Sequence, residues 1–153
     1  MKETLAVAAS PEVVYRHLTG DIGKWWDSEH TFSGRSENLY IEDKADGCFC
    51  EKLASGGSVR HLVVVFADPG KMLRMSGALG PLQSMGVAGS MTWTLSRAGD
   101  TTRVELTYAV GGYRPGGLGV LAPAVDRVLL EQLQRLKRYV ETGTPEEKSQ
   151  KKK

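Results

Sequence analysis

The 153-residue chain has the length of one domain and is too short for two ordinary ones. At this size folding buries about 70% of the surface an unfolded chain exposes, so a core forms without staples. With 41% apolar residues, 25% charged residues and a net charge of +2, the composition is that of a globular protein and gives no sign of nucleic-acid binding.

No stretch approaches the ~20 apolar residues of a membrane span. Met1-Lys2-Glu3 leads into a strand pattern rather than a signal peptide, so the expected compartment is the cytoplasm. Removal of an N-terminal signal would instead make this an exported mature form.

In chain order, Thr4–Ala8 is predicted as a short strand. Ser10-Pro11-Glu12 then supplies an N-cap, a proline at the first helical position and an acid in the first turn. Val14 and Leu18, four apart, predict a helix to about Thr19. Gly20 and Gly23 bracket a second short helix or turn bearing Trp25 and Trp26, and the polar segment Asp27–Asn38 is a loop.

Strands follow at Leu39–Ile41, Cys48–Leu53, Val59–Ala67 and Lys71–Ser76, separated by turn signals at Gly56-Gly57 and Asp68-Pro69-Gly70. The segment Gly77–Gly89 interrupts the pattern, with one helical turn expected at Pro81–Met85. Two alternating strands come next. In the first, Met91, Trp93 and Leu95 share a face; in the second, Val104, Leu106, Tyr108 and Val110 do. A period of two marks a sheet with one buried and one wet face.

After Gly111–Gly117 a long helix is predicted to about Glu141, opened by Pro123 and stopped by Gly143. Its apolar stripe runs through Val125, Leu129, Gln132, Leu133, Leu136 and Val140. The buried face of the sheet is the natural partner of that stripe, which predicts an α+β fold. The domain is expected to end at residue 143. Residues 144–153, with Lys148, Lys151, Lys152 and Lys153, read as a disordered basic tail.

This order resembles the START-like superfamily, also called SRPBCC, helix-grip or birch-allergen-like, which includes the polyketide cyclase-like proteins. Within it the chain is similar to the branch of the heat-shock ATPase activator homologue. Ala9-Ser-Pro-Glu-Val-Val-Tyr-Arg-His-Leu18 resembles the opening strand–helix motif. Gly47-Cys-Phe-Cys-Glu51, with His61–Pro69 and Leu73, resembles the central strands, and Met91–Leu95 with Thr102–Thr107 resembles the last hairpin. The resemblance implies a curved antiparallel sheet of six to seven strands around the C-terminal helix, with two short helices after the first strand. It also implies a small-molecule cavity between sheet and helix. The Gly-rich insertion 77–89 and the cysteine pair depart from the family pattern.

Cys48 and Cys50 fall on one strand face with Cα atoms ~6.5 Å apart, near the limit for bridging. Two free thiols are expected, with a disulfide or half a metal site as alternatives. Gly117-Leu-Gly-Val-Leu-Ala122 fits a loose dinucleotide fingerprint, but no second parallel strand or ribose-binding acid follows, so it reads as a backbone corner. His17, His30 and His61 have no zinc spacing, and no Gly-x-Ser-x-Gly elbow is present. No metal or cofactor is expected.

Inward faces are predicted to carry Trp26, Phe32, Phe49, Met75, Met85, Met91, Trp93, Tyr108, Tyr113, Leu129 and Leu133, each as plain core or as ligand wall. Glu51, His61 and Asp126 are the polar candidates. The plainer reading makes Asp126 solvated surface and Glu51–His61 a strand-face ion pair. The sharper one makes Glu51 or His61 a general base or a ligand's hydrogen-bond partner.

Three functions compete. One is a non-catalytic binder of a small hydrophobic or amphipathic molecule, monomeric or weakly dimeric. The second is a cyclase-, dehydratase- or hydrolase-like enzyme using Glu51 or His61. The third, which the branch name suggests, is a chaperone-associated interaction module.

Overall fold

A computed structural model describes residues 1–147. Seven strands, β1 (Lys2–Val7), β2 (Leu39–Ile41), β3 (Cys48–Lys52), β4 (Ser58–Asp68), β5 (Met72–Ser76), β6 (Ala88–Ala98) and β7 (Thr101–Gly111), form one antiparallel sheet. Their order is β1-β7-β6-β5-β4-β3-β2, so every neighbour except β1–β7 is also the next strand in sequence. Helices α1 (Pro11–Gly20) and α2 (Ile22–Trp25) follow β1, and α3 (Ala122–Thr142) ends the domain. A curved sheet gripping one long helix is the α+β architecture that the alternating strands and the helical stripe predict.

Local chemistry sets the element ends. The Ser10 hydroxyl accepts from Val13 N–H at 3.3 Å and Pro11 opens α1, whereas Gly143, at φ 80°, closes α3 in the left-handed conformation. Gly119–Leu121 forms a separate 3₁₀ turn, so α3 starts at Ala122 with Pro123 in its first turn.

In the β6–β7 hairpin Met91 pairs with Tyr108, Trp93 with Leu106 and Leu95 with Val104, all buried on one face. The far end of α3 is wedged against α1 and α2. Arg135 Nε donates to Trp25 O at 2.9 Å, Gln132 Oε1 accepts from Asp27 N–H at 2.9 Å, and His17 and Tyr139 meet edge to face at 5.4 Å. Leu133 and Leu136 are fully buried there. Since α1 and α2 cover only this end, the first turns of α3 stand off the sheet.

One expectation is corrected. Cys48 and Cys50 are joined by a disulfide, with Cα atoms 5.5 Å apart rather than the flat-strand spacing. The bridged pair spans the place where the β3–β4 register shifts, between Phe49 and Cys50. Thr144–Glu147 are tied back onto α3, with Arg138 Nε donating to Pro145 O at 2.6 Å and Arg135 paired to Glu146 at 2.9 Å. The rest of the expected basic tail, including its four lysines, lies outside the described residues.

Candidate functional site

A cavity of about 350 Å³ opens between the concave face of the sheet and the N-terminal half of α3. This is within the size range of small-molecule pockets. The sheet contributes Phe49, His61 and Tyr108, the loop after α2 contributes Trp26 and the run Glu29–Phe32, and α3 contributes Ala124, Val125, Val128 and Leu129. Leu79–Leu82 and Met85, from the Gly-rich insertion and its 3₁₀ turn Gly80–Met85, close the remaining side.

Tyr108 anchors that insertion. Its hydroxyl accepts from Leu79 N–H at 2.9 Å and donates to Gly77 O at 3.1 Å. Burial pushes the Tyr108 hydroxyl pKa up, against the opposing pull of the Leu79 N–H. The phenol is thus a neutral structural tie.

The polar centre of the wall is the pair Glu51–His61. The β3–β4 pairing slips by one between Phe49↔Leu62 and Cys50↔Arg60, leaving His61 as the extra residue of a bulge. His61 and Leu62 are consequently both buried, and His61 Nε2 lies 2.9 Å from Glu51 Oε2. The chain then crosses over Glu51, where Phe32 N–H donates to Oε2 at 3.1 Å and Ser33 N–H to Oε1 at 2.5 Å. Burial alone would raise the Glu51 pKa, but hydrogen bonds from Ser33, Phe32 and His61 together hold it below 4.5. For His61, burial lowers the pKa below 6.5 and outweighs the opposing attraction of Glu51. The pair is an ionised carboxylate beside a neutral imidazole. Phe32 stacks on that imidazole at 5.8 Å and Phe49 lies at 4.9 Å from it.

Of the residues expected to turn inward, Trp26, Phe32, Phe49, Met85, Tyr108 and Leu129 line the cavity together with His61. Met75, Met91, Trp93 and Leu133 are buried core outside the lining. Tyr113 is 84% exposed: it follows Gly112, whose φ of 141° ends the alternation of β7 and turns the chain outward. Asp126 is half-buried on α3 outside the lining. Glu51 stands behind His61 rather than in the wall.

Sequence reasoning missed Leu79, Pro81 and Leu82, masked by the glycines around them. It also missed Leu121, Ala124 and Val128, which extend the stripe of α3 at a spacing of three to four. A further cluster, Asp27, His30 and Glu131, brings potential metal-ligating atoms within 4.8 Å of one another near the cavity mouth.

A model of the family described as polyketide cyclase / dehydrase and lipid transport matches residues 1–141. The chain belongs to this family. The START-like resemblance is thereby borne out, and the family description makes a ligand-binding fold the frame for the cavity. No curated protein matches this sequence.

Among solved structures, the family member described here is similar to DynU16 from the dynemicin biosynthetic locus, with a TM-score of 0.67 and 17% identity. The match covers 95% of this chain and 48% of DynU16, so the chain spans about half the length of that protein. An Aha1 protein from Colwellia psychrerythraea, solved as a dimer, matches with a TM-score of 0.62 and 18% identity over 94% of this chain and 96% of its own. A protein from Arthrobacter aurescens matches with a TM-score of 0.67 and 10% identity, covering 99% and 92% of the respective chains. At these identities the likeness is one of fold. Among the described residues no helix is long and apolar enough to cross a membrane.

Proposed function

We infer that the protein binds one small hydrophobic or amphipathic molecule between the sheet and α3 and releases it unchanged. The observation that carries this reading is the apolar cavity itself, about 350 Å³ in volume and walled by Trp26, Phe49, Leu82, Met85, Val128 and Leu129. Enclosing an apolar ligand there removes apolar surface from water at about 25 cal/mol per Å². Native mass spectrometry of protein purified from cells, with a thermal-shift screen of lipids and polyketide-like aromatics, tests the reading. A one-to-one adduct or a stabilising class of compound is expected. A bare protein mass together with no shift for any class would refute it.

The Glu51–His61 pair favours a second reading, an acid/base enzyme of the cyclase, dehydratase or hydrolase kind. Against it, both Glu51 oxygens are engaged by Phe32, Ser33 and His61, which makes Glu51 a holder of His61 rather than a free proton carrier. Turnover abolished by Glu51→Gln, with ligand binding retained, would establish this second reading. The chaperone-associated reading rests on fold likeness alone, and a pull-down that recovers no chaperone removes it.

A further inference from the structure

We propose that the ligand carries a hydroxyl group, alcoholic or phenolic, that donates to His61 Nδ1, and that Glu51 is the positioning residue keeping that nitrogen an acceptor. This deepens the binding reading and rests on it. Two backbone N–H groups, from Phe32 and Ser33, point at the Glu51 carboxylate, so its oxygens must accept. The contact at 2.9 Å then requires His61 Nε2 to donate. A neutral imidazole has a single N–H, so Nδ1 is left with its lone pair free.

That nitrogen is buried and has no hydrogen-bond partner. Among the described residues, two other buried side-chain atoms share this condition, the Tyr15 hydroxyl and Gln132 Nε2, and neither residue lines the cavity. The hydroxyl of Tyr108, the other polar group of the sheet wall, is committed to Leu79 and Gly77. The cavity mouth carries the exposed Glu29 and His30, and among the described residues of the lining His61 Nδ1 is the one buried side-chain atom left without a partner. A ligand with one matching donor on an apolar body completes it, and a ligand without a donor leaves it desolvated and unmet.

The test compares 1-naphthol with 1-methoxynaphthalene, which has the same ring system without the donor, by calorimetry at neutral pH. Wild-type protein is expected to bind 1-naphthol about tenfold more tightly. Nitrogen-15 shifts of His61 in the free protein are expected to show protonated Nε2 and bare Nδ1. In Glu51→Gln the single carbonyl can accept from only one of the two backbone N–H groups, because Phe32 N–H and Ser33 N–H bond different oxygens and His61 Nε2 shares Oε2 with Phe32, so the acceptor that fixes the His61 tautomer is no longer held in place. The contrast between the two nitrogen shifts should then shrink, and with it the preference for 1-naphthol, whose hydroxyl can accept as well as donate.

Equal affinity of the two compounds for wild-type protein, or a protonated Nδ1 in it, overturns the proposal while leaving the cavity as the binding site. Binding of neither compound overturns the proposal, and the binding reading falls with it where native mass spectrometry also gives the bare protein mass and no compound class shifts the melting temperature. If Glu51→Gln does not fold, the wild-type compound pair and the wild-type tautomer decide alone.

Discussion

At the scale of single residues, His61 is the most consequential group, because a buried neutral imidazole links folding to pH. Its folded pKa lies below 6.5, so between those values the unfolded chain holds a proton that the folded chain does not. Its contribution is present in full above about pH 6.5 and is lost as the pH falls through the lower folded value. Glu51, held below 4.5, adds a second loss beneath that pH, with the same sign. Urea midpoints should therefore fall from pH 7.5 to 5.5 in the wild type, and the fall should be shallower in His61→Gln. An identical slope in the variant would show that His61 is not the group responsible.

Gly89 supplies a steric counterpart. A Cβ there would come within 2.5 Å of Gly77 O and 2.7 Å of the Tyr108 ring, so Gly89→Ala must displace the tie between β7 and the insertion. We expect a cost of about 1–3 kcal/mol by chemical denaturation, together with weaker ligand binding. The Glu51–His61 contact was legible as two polar residues on neighbouring strands. The tautomer was not, because it depends on two N–H donors from Phe32 and Ser33, and no sequence pattern announces a loop crossing over β3.

At the scale of elements, α3 divides into two halves with different tasks. Leu133 and Leu136 at one end are locked against α1, α2 and the sheet, whereas Val125, Val128 and Leu129 at the other face the cavity. The sequence shows one continuous stripe, because three-to-four periodicity reports which face is apolar and not what that face meets. In the same way Val59–Ala67 reads as one β-branched run, and the bulge at His61 that re-aims its side chain is invisible in it.

The strands β6 and β7, by contrast, were legible almost residue by residue, since a sheet wet on one side enforces strict alternation. Filling the open half of the α3 site should separate fold from function. Val125→Trp is expected to keep or raise the melting temperature, because the indole enters existing space, and to abolish binding of 1-naphthol. Unchanged binding in that variant would place the ligand elsewhere.

At the scale of the whole molecule, the fold follows from two periodic signals and their only mutual arrangement, a curved sheet closing on one helix. The cavity does not follow from either signal. Whether large side chains such as Trp93 and Tyr108 fill the concave face or rim a hollow depends on the summed volume of every residue packed there. Trp93 proved to be core and Tyr108 wall. The covered end needs helices α1 and α2, and the open end needs the Gly77–Gly89 insertion tied to β7 by the Tyr108 hydroxyl. The central claim is that the space left between them receives a small apolar molecule. Intermolecular nuclear Overhauser effects between 1-naphthol and the methyl-labelled protein test it most directly. Cross-peaks to the methyls of Leu82, Val128 and Leu129 are expected. Saturable binding with cross-peaks confined to methyls outside the cavity, or no cross-peaks at all, would contradict it.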